Sequence, residues 1–420
     1  MRKKSYALLL LPVILLFFCL TGCERKEGEK TEITFIHGWG STEVDHVAMR
    51  QIYRDFEKEN PDIGLNMISM PSSTDVIYKV GDLLAVGEIP DIIFTAGDGK
   101  ESIYEFMVKK GYALNLMPWI QEDENLKGSI SPVALKYWVT QENELYTVSD
   151  VLLLSGGYWY NKDIFEQIGI KEPPLERTKW LEVCQKINEY KEKKQVGIEP
   201  VILDMDHVVY LTDALLFDEN PELLTKIEDK KINLNSLGFR RIVMELEKIG
   251  HQSNIVNSFN FRDALASFNA KETAMYINGV WASSMISDEL NISYAPLPTE
   301  DGKGVVAISS GVGYILGNTK DEKKIEAGIR FLKYMLSEEV AKRILEETGQ
   351  IPANPNVEIT KEIAGERLYQ AVTCVNGNEN VIEVPANIWG TTKKERYGNS
   401  MILYLDGVLS FKDLQRVLVE

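Results

Sequence analysis

The chain has 420 residues, 44% of them hydrophobic and 26% charged, and carries a formal net charge of −17. That length exceeds what one hydrophobic core usually spans, so two domains are expected. The acidic balance excludes nucleic acid and anionic lipid headgroups as partners, since both need Lys/Arg patches, but it leaves a neutral solute open.

Arg2, Lys3 and Lys4 precede an almost uninterrupted apolar run, Ala7–Leu20. At about 14 residues the run is shorter than the ~20 a helix needs to cross a bilayer, so it reads as a secretory signal peptide. It ends in Leu20-Thr21-Gly22-Cys23, which resembles a bacterial lipobox. That resemblance implies cleavage after residue 22 and lipid on the Cys23 thiol, anchoring the chain on the extracytoplasmic face of the cell membrane. Residues 23–30 are then a polar tether. Losing three basic residues with 1–22 takes the charge from −17 to −20. Besides Cys19, only Cys184 and Cys374 remain, free to pair or to stay as buried thiols. With four histidines and no CxxC or Cys/His cluster, neither a metal nor a cofactor is expected.

In chain order, Ile33–Ile36 is a short strand ending in a glycine-flanked loop, His37-Gly38-Trp39-Gly40. Val44, Val47, Ile52, Tyr53 and Phe56 predict a helix that stops at Asn60-Pro61. Gly64–Met70 is the next strand. Ser72-Ser73-Thr74-Asp75 offers N-cap chemistry to a helix carrying Val76, Val80 and Leu84. A third strand, Ile92–Phe94, runs into the loop Thr95–Gly99. This βαβαβ rhythm predicts a parallel sheet with ligand-facing loops at the carboxyl ends of its strands. Later, Val151–Tyr160 reads as one long strand in which Tyr158 and Tyr160 alternate with Trp159, and Asn161-Lys-Asp163 starts a helix. Lys179–Tyr190 and Leu237–Ile249 are amphipathic, and Glu322–Met335 with Glu338–Glu347 form a helical pair ending at Gly349.

The order of motifs resembles the ABC-importer extracellular solute-binding proteins of family 1, which include maltose-binding protein. Phe56-Glu-Lys-Glu-Asn-Pro-Asp-Ile63 looks like that family's segment after the first helix, and Gly87-Glu-Ile-Pro-Asp91 like its GxxPD turn. Leu145-Tyr146-Thr-Val148 and Tyr158-Trp-Tyr-Asn-Lys-Asp-Ile-Phe165 follow, with Val148 where the family has proline. Ile170–Leu181 carries one inserted residue. Phe268–Trp281, Ala295-Pro-Leu-Pro298, Gly311–Gly313 and Gly349-Gln-Ile-Pro-Ala353 complete the series over nearly the whole chain. The resemblance implies an α/β, two-lobed periplasmic-binding-protein-like fold of type II. Lobe 1 would be 31–147 and 305–350, and lobe 2 would be 150–300 and 355–420. Hinges would fall near Thr147–Leu152, Thr299–Val305 and Ile351–Ala353. It also implies a monomeric, non-enzymatic binding protein that hands a carbohydrate, an oligosaccharide, to an ABC permease.

A sugar presents apolar C–H faces edged by hydroxyls, so aromatic planes and Asp, Glu or Asn side chains suit it. Trp281 closes the family's NGxW motif, where the resemblance implies ring stacking, and Trp389 matches a late cleft aromatic. Trp39, His37 and Glu43 sit at or beside the loop after the first strand. Asp98 follows the third strand between two glycines, Asp150 lies at the first crossover, and Asp206 follows the apolar run Val201–Leu203. Ser310 and Gly311 offer hydroxyl and backbone donors. Trp119, Trp138, Trp159 and Trp180 are assigned to packing. The rival readings are a ligand-sensing partner of a membrane kinase, which would use the same cleft, and an exported glycoside hydrolase. No GxSxG, HExxH or phosphate-loop motif supports an enzyme.

Overall fold

A computed structural model describes residues 30–95, 103–228, 237–253, 255–258 and 260–419. Cys23, with the signal segment, and Asp98 lie outside the described residues. Among the described residues, no helix is long and apolar enough to cross a membrane.

Three sheets organise the described residues. In the first, Thr31–His37 pairs in parallel with Ile63–Ser69 and with Ile92–Thr95, and Gly313–Leu316 adds antiparallel to the latter. The helix Val44–Glu59 covers this sheet through Met49, Ile52, Tyr53 and Phe56, one face at spacings of three and four. Val44 and Val47, expected on that face, are instead 80% and 47% exposed, because the buried stripe begins one turn later. Each fully buried side chain of that stripe contributes about 1.5–3 kcal/mol. Asn60 ends the helix, and Ser72 caps Ser73–Ala85 by accepting from the Asp75 N–H at 3.2 Å. Asp91 of the Gly87–Asp91 turn is buried. It accepts from the Thr34 N–H at 2.8 Å and pairs with Lys324 at 3.0 Å, tying the central strand to the helix Glu322–Met335.

The third sheet runs Ile255–Ser258, Glu199–Asp204, Thr273–Ile277, Gly157–Asn161, Ile292–Pro296, parallel at its first two junctions and antiparallel at its last two. Both of its faces are buried. Tyr158 and Tyr160 point into one core and Trp159 into the other.

Between these sheets lies a small one: Ile351–Pro352, Val151–Ser155, Val306–Ser309 and Val381–Ile382. The expected single strand over 151–160 breaks at Gly156 into strands of different sheets. There φ is +73°, and a Cβ would stand 2.7 Å from the Ala307 nitrogen. Val151 still packs in the first core and Leu154 in the third, while Val305 and Ala307 pack in the second. Chain segments crossing between the cores therefore run through this sheet. Cys184 and Cys374 are both free thiols.

Candidate functional site

A cavity of about 490 Å³ opens where the carboxyl ends of strands from the first and third sheets face each other. Gly38 and Trp39 come from the end of Thr31–His37, and Ser72 with Ser73 from the start of the next helix. Asp206, His207 and Tyr210 follow the strand Glu199–Asp204, and Asn278 and Trp281 follow Thr273–Ile277. Leu152 and Ile351 of the small sheet complete the lining.

Each wall presents rings. Trp281 is half-buried and lies over Gly279, where a Cβ would come within 2.2 Å of the indole. His207 stands 6.5 Å from Trp281 between ring centroids and stacks on Tyr210 at 5.6 Å. His207 is fixed through Nδ1 by Asp204 Oδ1 at 2.7 Å. On the opposite wall Trp39 is stacked against Phe94 at 5.7 Å and meets His46 edge-on at 4.8 Å. It is 8% exposed, so it offers the cavity less surface than the half-buried Trp281.

Charged groups frame the rings. Glu43, just before the helix Val44–Glu59, accepts from Arg262 at 2.9 and 3.2 Å. This pair joins residues 219 positions apart across the cavity. Burial opposes ionisation of Glu43, but the Ser41 hydroxyl and the Arg262 guanidinium hold its carboxyl below the usual range. On the other wall, the Lys394 ammonium at 3.0 Å holds Asp206 below its ordinary value. Glu43, Asp45 and His46 could bring three ligand atoms within 4.8 Å of one another, but Arg262 already supplies the countercharge there.

Of the residues singled out from sequence, Trp281, Trp39, Glu43 and Asp206 meet at this cavity. Five described ones do not line it. His37 ends the strand fully buried, with Nε2 3.0 Å from Ser69 Oγ, and burial followed by the Arg50 charge depresses its pKa to about 3. Asp150 accepts from the Tyr314 hydroxyl at 2.7 Å, and its carbonyl accepts from the Ala353 N–H. Burial pushes its carboxyl up to about 7. Trp389 donates to Asp213 at 2.8 Å and stacks on Tyr397 at 4.6 Å, while its neighbours Ala386 and Thr391 face the cavity. Ser310 accepts from Trp138 Nε1 at 3.1 Å and is buried with Gly311. The packing assignment fits Trp138, Trp159 and Trp180, each fully buried, and Trp119, which packs partly buried on the first core.

Sequence reading missed His207, Tyr210, Arg262, Lys394 and Glu395. The loop position that marks Asp206 also marks the first two. The other three stand in the opening turns of the helices Phe261–Asn269 and Thr391–Leu405, where no motif distinguishes them from solvated helix residues.

The family model for the bacterial extracellular solute-binding protein matches residues 40–342. The multiple sugar-binding protein of Streptococcus mutans is 23% identical over 354 residues, 79% of this chain and 78% of that protein. The structure of a Streptococcus pneumoniae solute-binding protein in complex with the blood group A-trisaccharide superposes with a TM-score of 0.73 at 23% identity, covering 92% of this chain and 97% of that one. A chitin oligosaccharide binding protein gives a TM-score of 0.77 at 15% identity, over 93% and 98% of the two chains. Cavity, sheet order and family model agree, and the chain belongs to the bacterial extracellular solute-binding proteins and has their two-lobed α/β fold.

Proposed function

We propose that the protein captures an oligosaccharide between Trp39 and Trp281, delivers it to an ABC permease as a monomer, and is held at the membrane by lipid on Cys23. The carrying observation is a cavity with rings on both walls and a charged pair across its mouth, built from strand ends of two different sheets. Sugar C–H faces stack on Trp281, and hydroxyls meet Asp206, Glu43 and Asn278. The pneumococcal relative bound to a trisaccharide and the chitin oligosaccharide binder support a carbohydrate as the solute.

In this reading 31–147 with 305–350 and 150–300 with 355–420 act as two bodies that close on the ligand about the segments through the small sheet. A closed form with differential affinity is what a permease can read. Packing of Val305 and Ala307 in the second core favours ending the middle hinge nearer Ser310. Asp98 remains a proposed ligand contact, whereas His37, Asp150, Trp389, Ser310 and Gly311 support the walls.

Thermal shift against neutral oligosaccharides, amino acids and peptides tests the solute class. A ligand at a hundred times its Kd stabilises the fold by about 2.7 kcal/mol. Stabilisation by oligosaccharides alone is expected, and stabilisation only by amino acids or peptides would refute the carbohydrate. Cys23→Ser should release the protein from membranes, and retention would refute the anchor.

A further inference from the structure

We infer that the cavity rejects anionic carbohydrates (uronates, sugar phosphates and sulfates) and takes uncharged or amino-bearing ones, with Asp45 and Glu395 setting that choice; the inference rests on the carbohydrate reading above. Among the described residues, four carboxylates line the cavity, Glu43, Asp45, Asp206 and Glu395, against two permanent cations, Arg262 and Lys394. Each cation already holds a carboxylate: Arg262 holds Glu43 at 2.9 Å and Lys394 holds Asp206 at 3.0 Å. A ligand anion that recruited Lys394 would strand Asp206, which is costly in a partly desolvated site, and at the exposed Arg262 it would have to compete with Glu43.

Asp45 and Glu395 have no such partner. Among the described residues neither forms an ion pair with Lys or Arg; Asp45 accepts the His46 N–H at 2.9 Å. Glu395 is half-buried, and burial together with the Asp206 charge pushes its carboxyl up against the pull of Lys394. The lining histidines do not restore the balance. His207 is committed to Asp204, and burial, with the Arg50 and Arg262 charges, outweighs Asp45 and Glu43 to depress the His46 pKa. Two carboxylates that form no ion pair with a described Lys or Arg thus line the cavity, Glu395 being attracted by Lys394 without pairing with it. At the reduced effective dielectric of a cavity they repel an anion more strongly than in water, while hydroxyl or ammonium donors satisfy them.

Three β-1,4-linked gluco trimers of different charge test this by calorimetry on the full chain: cellotriose, the glucosamine trimer and the glucuronate trimer. The glucuronate trimer should bind at least tenfold more weakly than cellotriose, and the glucosamine trimer at least as tightly. Asp45→Asn/Glu395→Gln should narrow the first ratio at least threefold, whatever it does to absolute affinity. A glucuronate trimer that binds as tightly as cellotriose overturns the inference, as does an unchanged ratio in the variant.

A second measurement needs no bound sugar. In a Trp119→Phe background, Trp281 is quenched by caesium and by iodide, each normalised to free N-acetyltryptophanamide. Caesium should quench at least twofold better, and Asp45→Asn/Glu395→Gln should bring the two together. Equal quenching, or stronger quenching by iodide, overturns the charge selection. If no trimer binds, the thermal-shift panel decides the carbohydrate reading and the quenching still decides the charge.

Discussion

Trp281 and Trp389 are the same residue within one α/β unit, yet one lines the cavity half-buried and the other is fully buried behind it. Trp389 gives its Nε1 proton to Asp213 and lays its ring on Tyr397, so both its polar and apolar surfaces are used inside the protein. Trp281 rests on a glycine and lines the cavity half-buried, with Asp206 engaged by Lys394 on the same wall. An aromatic ring becomes a ligand platform when the protein leaves a face unfilled. Residue type and its place after a strand do not reveal that, because they are equally true of packing residues.

The contrast is easiest to break at Trp389. Trp389→Ala should cost about 3–5 kcal/mol of stability, read by urea unfolding, since it leaves a cavity and orphans a buried carboxyl. The folded fraction should keep its affinity. Trp281→Ala should do the reverse. Affinity should fall by about 1–3 kcal/mol in calorimetry, with a smaller stability change because the ring is only half-buried. Gly279→Ala sharpens the point by displacing the indole without removing it, and should weaken binding in the same direction.

A buried acid behind the cavity gives the next effect. The Asp150 carboxyl lies near 7 in the folded chain against an ordinary 3.8. Between those values the folded state binds the extra proton, so this group's stabilisation is complete below about 4 and is lost as pH rises through about 7. The slope is about 1.4 kcal/mol per pH unit. Asp150→Asn should remove that slope from unfolding curves measured between pH 4 and 7, and an unchanged slope would assign it elsewhere. Smallest is Arg262→Ala. Its exposed pair with Glu43 contributes about 0–1 kcal/mol to stability. The loss should show mainly as a larger radius of gyration of the ligand-free protein in X-ray scattering.

Much of this fold is legible in the sequence because its signals are local. The parallel strands after residue 31, the Ser72 cap, the Asn161 cap and the paired helices ending at Gly349 each follow from periodicity and capping chemistry. The break at Gly156 is not legible, because it depends on the Ala307 backbone, 151 positions away, crowding the turn. Of the site, the walls at strand ends are legible for Trp39, Glu43, Asp206 and Trp281. His37, Asp150 and Ser310 mislead because polar residues beside a crossover can be satisfied inward, by Ser69, Tyr314 and Trp138. Arg262 and Lys394 stay hidden because a cation in a helix's first turn looks like solvated surface until its partner, distant in sequence, is known.

The central claim is that a sugar lies between Trp39 and Trp281, and a crystal structure with the most stabilising oligosaccharide tests it most directly. Density for a sugar ring against the face of Trp281, with hydroxyls reaching Asp206 or Glu43, is the predicted result. A sugar bound elsewhere on the molecule, with the space between the two tryptophans empty, would contradict it.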